Sequence, residues 1–568
     1  DLDGNYRLTG DIVLTGDWTP IGDWENPFTG VLDGGGHTIS GLTVAASAEL
    51  TYAGLFGCIG WDSEWLYFGT VKNLNIVIAS GGVNGTFFAG GVAGYNEGTI
   101  ENCHVSGGPV AAENSTGFAE AGGVAGDNRG AILRSSNASE VSAAYLGSGQ
   151  NVAEAGGVAG DNVGEISQCQ NTGAVSADGS NSRAGGITAY NSHSSGITES
   201  ANTGDVSANG EENFAGGVAG VNWGSVTDSC NTGDVSAAIG TESYAGGAAG
   251  LNGGEITRAY SAGTVTGTTR GGIAGVNYND YEPDDTDSYG TITASFFDST
   301  VADGLEPIGD DTHGDIVSSG GKTTAQMQTE ATFTDAGWDF GNIWEIVGGA
   351  YPTLQARTPI STEEELAAME LDGNYRLTGD ITLSGDWTPI GNGTYPFDYG
   401  DNDFPFTGML DGGGYTISGL TVTSTDVECA GLFGYIGSGG TVKNLYVKIA
   451  PGGVNGAGDA GGVAGYNEGT IESCHVSGGP VRINSTDGVL CAGGVAGSNA
   501  KSGKISKSLN TSAVSATGGE DATAYVGGVA GINYGEISES ANSGAVSSSA
   551  GDTIRVGGIT GDNRSDGA

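Results

Sequence analysis

The sequence predicts an all-β protein, a parallel β-solenoid built as two tandem units, on the strength of three observations. A phrase close to Ala-Gly-Gly-Val-Ala-Gly-x-Asn recurs, beginning at residues 89, 121, 155, 184, 215, 245 and 270 and again at 460, 492, 526 and 556. Successive copies within each series lie 25 to 34 residues apart, which is the period of a solenoid repeat. Glycine supplies 109 of 568 residues without a Gly-X-Y period, which indicates tight turns between short strands and excludes collagen.

The repeats lie inside a larger duplication. DLDGNYRLTGDI at residue 1 returns as ELDGNYRLTGDI at 370, and FTGVLDGGGHTISGLTV at 28 returns as FTGMLDGGGYTISGLTV at 406. We therefore predict a first β-helix unit with a closing segment over residues 1–357, and a short helix plus a second, incomplete unit over 358–568. A chain that opens within an element and ends within a repeat indicates a fragment of a longer protein.

Helical periodicity is confined to ISTEEELAAMEL, residues 360–371. Ser361 with Glu364 predicts a capping box, and Leu366 with Met369 predicts an apolar stripe. One short helix is therefore expected between the two units.

Elsewhere each repeat reads as strand, turn, strand, and stacking places equivalent positions in columns. One column, three residues after the repeat's isoleucine or valine, exchanges Cys, Ser and Ala freely; its members are Cys103, Ser135, Cys169, Ser200, Ser229, Ala259, Cys474, Ser508 and Ser540. The chain has seven cysteines and no C-x-x-C pair, so we expect small buried thiols rather than a disulfide framework or a zinc site.

Asparagine forms further columns, in the seventh position after each phrase begins and in Asn-Thr-Gly triplets such as 171–173 and 202–204. Asparagine tolerates left-handed turns, and stacked amides can also hydrogen-bond from coil to coil. Under both accounts the repeated phrase serves the architecture of the fold rather than a chemical function.

The AGLFG segments at 53–57 and 430–434, together with the Ala-Gly-Gly-Val-Ala-Gly-x-Asn-x-Gly-x-Ile repeats, resemble the GLUG-motif repeat of bacterial surface and secreted proteins. The resemblance covers about 28–277 and 406–568. It implies a right-handed parallel β-helix and an extracellular protein, secreted or cell-wall-attached. It also implies occurrence beside metallopeptidase regions, and it carries no catalytic residues to transfer.

Composition excludes several classes of protein. The chain has 18 Lys and Arg against 67 Asp and Glu, a net charge of −49, which disfavours nucleic acid and anionic membranes as partners. The sequence contains no run of 18 apolar residues, so we expect no membrane insertion within it. The acidity indicates either a solubility device or binding of divalent cations or a cationic partner.

Two acidic loops are candidate calcium sites, since calcium takes carboxylate oxygens. They lie in NDYEPDDTD at 279–287 and FDYGDNDF at 397–404. The alternative is that both are solvated loops; calcium is the one cofactor the sequence suggests. The candidate ligands are Asp280, Glu282, Asp284, Asp285, Asp287, Asp398, Asp401 and Asp403.

A six-residue insertion supplies the candidate ligand-binding aromatics. The first unit reads CIGWDSEWLYFGTVKNL at 58–74 where the second reads YIGSGGTVKNL at 435–445. The extra segment brings Trp61, Trp65, Tyr67 and Phe68. Exposed rings suit sugars or a protein partner; the alternative is a loop that folds back over the solenoid.

Catalytic motifs are not found: the five histidines form no H-E-x-x-H pattern. We therefore expect a non-catalytic stalk or adhesion module of a large bacterial surface protein, which contacts glycans or surface proteins. A glycan-cleaving or glycan-binding β-helix is the first alternative, and an accessory repeat region of a surface metallopeptidase is the second. An exposed end strand could also support self-association.

Overall fold

A computed structural model of the protein describes most of the chain. The described residues are 1–47, 50–60, 68–147, 149–278, 290–311, 315–340, 343–355, 357–392, 404–423, 427–485, 488–549 and 553–564. The chain divides into two compact units, Asp1–Leu354 and Gln355–Ala568. In each unit short strands from successive coils pair in parallel ladders, so the predicted all-β parallel solenoid is confirmed.

One coil of the first unit shows why the repeat folds in this way. The strand Gly196–Thr198 buries Ile197, and the strand Val206–Gly216 buries Val206 and Ala208 between more exposed neighbours. This alternation sends every second side chain into the interior. A single coil cannot cover those apolar side chains, so stacked coils bury a continuous core.

The two glycines of the phrase are required by close backbone approach. A Cβ at Gly216 would lie 1.8 Å from the carbonyl oxygen of Ala219, and a Cβ at Gly217 would lie 2.2 Å from the carbonyl oxygen of Gly247. No side chain fits at such distances, so glycine is needed where the chain bends between two strands.

Two strips of strands flank that bend in the first unit. The AG strip carries the Ala-Gly of each repeat and comprises Tyr52–Ala53, Phe88–Gly90, Ala119–Gly122, Val152–Gly156, the ends of Val175–Gly185 and Val206–Gly216, Glu242–Gly246 and Thr269–Gly271. The AGxN strip comprises Phe56–Ile59, Ala93–Asn96, Ala125–Asn128, Ala159–Asn162, Thr188–Asn191, Ala219–Asn222, Ala249–Asn252, Ala274–Asn277 and Ile308–Asp311.

The remaining strands of the first unit complete its coils, apart from one antiparallel pair at the end. The coil strands are Asn5–Arg7, Ile12–Val13, Val31–Asp33, Thr38–Val44, Thr70–Gly85, Thr99–Gly107, Val110–Asn114, Ala131–Leu133, Ser136–Asn137, Val141–Tyr145, Glu165–Ser167, Gln170–Asn171, Gly196–Thr198, Ala201–Asn202, Ser225–Thr227, Cys230–Asn231, Val235–Ala237, Glu255–Thr257, Tyr260–Ser261, Val265–Thr266, Thr291–Thr293, Phe296–Asp298, Asp315–Val317 and Gly320–Lys322. The antiparallel pair is Trp344–Glu345 with Thr353–Leu354.

The second unit repeats this plan. Its AG strip comprises Cys429–Ala430, Asp459–Ala460, Val489–Gly493, Thr523–Gly527 and Thr553–Gly557, and its AGxN strip comprises Phe433–Ile436, Ala464–Asn467, Ala496–Asn499, Ala530–Asn533 and Thr560–Asn563. The other strands are Thr358–Ile360, Asn374–Leu377, Ile381–Thr382, Met409–Asp411, Thr416–Val422, Thr441–Lys443, Tyr446–Gly456, Thr470–Glu472, His475–Gly478, Val481–Ser485, Lys504–Ser506, Leu509–Asn510, Val514–Gly518, Glu536–Ser538, Ala541–Asn542 and Val546–Ser549.

The predicted linking helix is present but shorter than its pattern, at Glu363–Ala367. Its capping box was predicted one residue too early. Thr362 is extended, its hydroxyl accepts from the N–H of Glu365 at 3.2 Å, and the Glu365 carboxylate accepts from the N–H of Thr362 at 3.1 Å. Ser361 instead donates its own N–H to Glu365, so it precedes the helix.

The closing segment contains two further helices that the sequence did not predict, Thr324–Met327 and Glu330–Thr334. Each has five residues or fewer, which is too short to show a 3.6-residue period. Their buried Phe333 packs against Phe296, with ring centroids 5.6 Å apart. None of the described helices is long and apolar enough to cross a membrane.

Amide side chains join successive coils. Asn96 donates to Asn128 at 2.8 Å, and the same bond continues along the AGxN strip through Asn162, Asn191, Asn222, Asn252 and Asn277. A second column runs through Asn137, Asn171, Asn202 and Asn231. The coil-to-coil account is therefore confirmed.

The left-handed account is wrong for these asparagines. The left-handed residues occupy a different column, one position before the Cys/Ser column, with φ near +50° in many coils; it includes Asn73, Asn102, Arg134, Gln168, Glu199, Asp228 and Arg258. The varied residue types show that the coil imposes this conformation rather than asparagine selecting it.

The cysteines behave as buried fillers. All seven are buried and none is in a disulfide. The N–H of Cys103 donates to the Ser135 hydroxyl at 3.1 Å, and burial raises the pKa of the Cys103 thiol to about 12. A thiol with so high a pKa stays protonated and unreactive at neutral pH.

The amide column yields a stability prediction. The side chain of Asn202 makes four hydrogen bonds: one with Asn171, one with Asn231 and two with Gly204. We expect Asn202→Ala to destabilise the protein by about 1–3 kcal/mol, because it leaves buried partners unsatisfied. The measurement is the urea midpoint followed by far-UV circular dichroism.

Asn209→Ala is the matched control, because Asn209 lies on Val206–Gly216, the strand that follows the Asn202 strand Ala201–Asn202, and is exposed. Its midpoint should stay close to wild type. Equal midpoints for the two variants would show that the buried amide column does not stabilise the solenoid.

Candidate functional site

The bend between the AG strip and the AGxN strip forms a corner where two columns of side chains meet. Phe88 precedes the Ala-Gly of its repeat and Tyr95 precedes its final Asn. Their ring centroids lie 6.3 Å apart at 80°. We call this place the AG corner; it consists of the residues in these two positions along each unit.

In-register pairing sets the order of residues along the corner. On the AG strip of the first unit the column runs Tyr52, Phe88, Glu120, Glu154, Arg183, Phe214, Tyr244. On the AGxN strip it runs Cys58, Tyr95, Asp127, Asp161, Tyr190, Val221, Leu251. The corner is thus aromatic at its start and acidic in the next two repeats.

Four carboxylates gather in those two repeats. Glu120, Glu154 and Asp127 are 8%, 6% and 2% exposed, and Asp161 is half-buried. One oxygen each from Glu120, Glu154 and Asp161 lies within 4.8 Å of the others. Glu120 Oε2, Asp127 Oδ1 and Asp161 Oδ1 are buried without a hydrogen-bond partner.

Two arginines offset part of this charge. Arg183 Nη1 donates to Glu154 Oε1 at 2.7 Å, and Arg129 Nε donates to Asp127 Oδ2 at 3.2 Å. Each guanidinium also lies over a ring, Arg183 over Tyr190 at 5.0 Å and Arg129 over Tyr95 at 5.5 Å. The arginines are therefore held at the two sides of the acidic group.

Burial and mutual repulsion raise the pKa values of these acids. Burial, with the charges of Glu154 and Asp127, raises the pKa of Asp161 to about 8. Burial raises the pKa of Asp127 to about 6 against the lowering effect of Arg129. Burial also raises the pKa of Glu120 well above its ordinary value and raises that of Glu154.

An aromatic surface adjoins the acids. Trp24 stacks on Tyr52 with ring centroids 6.4 Å apart, and it meets the edge of Tyr95 at 5.2 Å. Tyr52 stacks on Phe88 at 5.1 Å, and Phe88 meets Phe118 at 5.4 Å. We call Trp24, Tyr52, Phe88, Tyr95 and Phe118 the aromatic surface; Trp24 is 58% and Phe118 38% exposed.

A cavity of about 470 Å³ lies beside Trp24. Its lining combines Trp24 and Tyr52 with the polar residues Asp23, Glu25 and Asn26. Asp23 Oδ1 accepts from the N–H groups of Glu25 and Asn26 at 3.0 and 2.8 Å, so this turn is held in place. A wall of two rings and several polar groups suits a small polar ligand with an apolar face.

The second unit has the same corner with different chemistry. The positions of Glu120, Glu154, Asp127 and Asp161 are taken by Cys491, Tyr525, Ser498 and Ile532. Asp459, which precedes them, accepts from the Ser498 hydroxyl at 2.7 Å, and burial raises its pKa to about 7. The four-carboxylate group therefore belongs to the first unit, within the described residues.

Most of the residues singled out from sequence lie outside the part of the chain that the structure describes. Trp61, Trp65 and Tyr67 lie outside the described residues, and Phe68 is 51% exposed. Gly69 donates its N–H to the carbonyl of Gly60 at 2.8 Å, at the base of that insertion. All eight acidic-loop candidates also lie outside the described residues: Asp280, Glu282, Asp284, Asp285, Asp287, Asp398, Asp401 and Asp403.

Sequence analysis missed the AG corner. Its residues occupy the variable position before Ala-Gly and the variable position before Asn, whereas the repeat is recognised by its constant letters. Acids occupy both positions in two successive repeats, as Glu120 with Asp127 and as Glu154 with Asp161. Two acids seven residues apart in successive repeats, a pattern that the aligned repeats of the second unit lack, are the signal in the sequence that indicates this site.

Comparisons with known proteins give partial matches. The chain is 34% identical over 129 residues to halomucin of Haloquadratum walsbyi, which covers 21% of this chain and 1% of halomucin. It is 36% identical over 110 residues to a provisionally named Gly-rich membrane protein of Evansella cellulosilytica, which covers 18% of this chain and 12% of that protein. The chain thus spans a small part of the curated relatives it matches.

A solved structure also aligns with part of the chain, at low similarity. A crystal structure of a provisionally named immunoglobulin A1 protease from Bacteroides ovatus aligns with a TM-score of 0.30 and 18% identity, over 62% of this chain and 85% of that chain. No family model matches the chain. The resemblance to the GLUG-motif repeat therefore stays a hypothesis based on its quoted segments.

The raised pKa values predict how stability depends on pH. An unfolded Asp161 ionises near pH 4, whereas the folded one keeps its proton to about pH 8. Between these values the unfolded chain binds fewer protons, so this group lowers stability by about 1.4 kcal/mol per pH unit as pH rises. We expect Asp161→Asn to lessen the fall in melting temperature between pH 5 and pH 8, measured with a chelator present.

Asp178→Asn is the control, because Asp178 is exposed on the neighbouring strand Val175–Gly185. It should follow the wild-type pH profile. An Asp161→Asn profile that is parallel to wild type would mean that Asp161 is ionised in the folded protein at neutral pH.

Proposed function

We propose that this chain is a non-catalytic stalk and adhesion module of a large extracellular surface protein, and that it binds carbohydrate on the aromatic surface of its first unit. The observation that carries this proposal is the exposed Trp24, stacked on Tyr52 in the wall of a cavity that polar side chains also line.

The geometry suits a sugar ring. The C–H face of a sugar packs on an exposed aromatic ring, while its hydroxyls need nearby polar groups. Trp24 offers the ring, and Asp23, Glu25 and Asn26 line the same cavity. Because Trp24 already stacks on Tyr52, little side-chain freedom remains to be lost on binding.

The stalk role is supported by the way the coils are joined. Parallel ladders and buried amide columns link each coil of the first unit to the next, which resists bending of the unit along the stack. A net charge of −49 keeps such a surface solvated. One relative is named as a membrane protein, and the matched part of halomucin is 1% of that chain, which fits a repeat module inside a larger surface protein, secreted or cell-wall-attached.

Carbohydrate cleavage is the alternative that the acidic group favours, since glycosidases use paired carboxylates with separated pKa values. Burial argues against it. Glu120 and Glu154 are each less than a tenth exposed, so a glycosidic bond could not lie between them without opening the corner. We therefore infer binding without turnover.

The test is a glycan array with the full chain, followed by product analysis on every glycan that binds. We expect Trp24→Ala to weaken the best binder at least about tenfold, equivalent to about 1.4 kcal/mol, because it removes the stacking ring. Melting temperature should change little, since Trp24 is more than half exposed.

Two further variants locate the binding surface. Tyr446→Ala removes an exposed ring of the second unit, 47% exposed, and should leave affinity unchanged. Trp61→Ala/Trp65→Ala tests the aromatic insertion predicted from sequence. Affinity lost only in that double variant would move the contact to the insertion, and release of any cleaved product would overturn the non-catalytic proposal.

A further inference from the structure

We propose that Glu120, Glu154 and Asp161 form a binding site for a hard divalent cation, Ca²⁺ in the first place, at the AG corner of the first unit. The site is separate from the aromatic cavity in its residues, and it does not depend on the carbohydrate proposal.

The three carboxylates are already gathered. One oxygen of each lies within 4.8 Å of the other two. Calcium coordinates oxygens at about 2.3–2.6 Å, so two ligands on one ion can be separated by up to about twice that distance. The observed spacing therefore allows all three oxygens to reach a common ion.

The ligands are also held from both sides of the corner. Glu120 and Glu154 are register partners on the AG strip, and Asp161 lies on the AGxN strip. Each of these strands pairs in parallel with strands of the coils before and after. The backbone therefore presents the carboxylates to one point without needing a ligand to order them.

One carboxylate of this group has a buried oxygen without a hydrogen-bond partner. Glu120 is 8% exposed, and its Oε2 is fully buried with no hydrogen-bond partner. A buried carboxylate is unfavourable unless a charge or donor compensates it. Neither arginine of the corner is bonded to Glu120: Arg183 donates to Glu154 and Arg129 donates to Asp127.

The charge of the corner matches one divalent ion. Glu120, Asp127, Glu154 and Asp161 would carry four negative charges, and Arg129 and Arg183 carry two positive charges. The remainder of two negative charges is what one divalent cation neutralises. The three ligands are all carboxylates, which favours Ca²⁺ over metals that prefer imidazole or thiolate.

The second unit provides an internal contrast. Cys491, Tyr525 and Ile532 replace the three ligands there, and that corner offers no comparable set of oxygens. The described residues therefore contain one such site, and it can be removed while the other unit is left intact.

The test is calcium binding to the chelator-treated full chain, by calorimetry and by terbium luminescence. Tyr95 is the register partner of Asp127, close enough to sensitise terbium bound in the corner. We expect Glu120→Gln/Asp161→Asn to remove one equivalent of bound ion, or to weaken it at least tenfold. Calcium should also raise the melting temperature of the wild type more than that of the variant.

Glu211→Gln/Asp178→Asn is the control, because it removes the same number of charges at exposed positions and should bind like wild type. Asp161→Ile is a second variant; the second unit carries Ile532 at this position. Circular dichroism in chelator verifies that each variant folds. The proposal would be overturned if the wild type bound no calcium at millimolar concentration. It would also be overturned if the folded corner variants bound as many calcium ions per chain as the wild type.

Discussion

In-register stacking of coils is the constraint on which the rest of this structure depends. Each repeat position lies directly above and below its equivalents, so the fold tolerates at each position only what can stack on itself. Amides meet this condition well, because an amide both donates and accepts along the column, as Asn162 does between Asn128 and Asn191. A one-residue slip would break every such bond at once and turn the strands inside out. Buried asparagine therefore sets the register while the apolar core supplies most of the stabilisation.

The same constraint makes charge difficult to place. Identical acids in one column repel each other, since directly paired like charges destabilise a sheet. Glu120 and Glu154 are such a pair, and both are buried. A change of residue type along the column removes this repulsion, as Arg183 does after Glu154. A buried acidic pair that persists beside two further carboxylates is therefore energetically unfavourable, and it calls for protons, arginine or a cation.

The same stacking in register explains which features of the structure the sequence predicts. Columns of constant residues were predictable, because their regular spacing reveals the period and their residue types reveal the interior. The thiols of Cys103 and Cys474 are buried as the repeat alignment predicts. The amides of Asn171 and Asn202 are buried in the same way. The two short helices of the closing segment were not, because Thr324–Met327, for example, spans barely one turn. The AG corner was also missed, because its residues vary between repeats. The pairing of Glu120 with Asp127 depends on a bend that brings residues seven apart face to face, and neither strand periodicity nor composition reports such a bend.

The glycine-rich phrase connects the constant columns of the core with the variable residues of the AG corner. Glycine is required at the bend, where a Cβ at Gly122 would lie 1.8 Å from the carbonyl oxygen of Ala125. With no side chains on the glycines, the surface of the corner is made by the two variable positions alone. Those positions can change from aromatic to acidic to aliphatic without altering the core or the amide columns, as the exchange of Asp161 for Ile532 between units shows. The repeated phrase is thus architecture that leaves the two side-chain positions of the AG corner free to vary, and any specific activity of the chain is best sought along that corner.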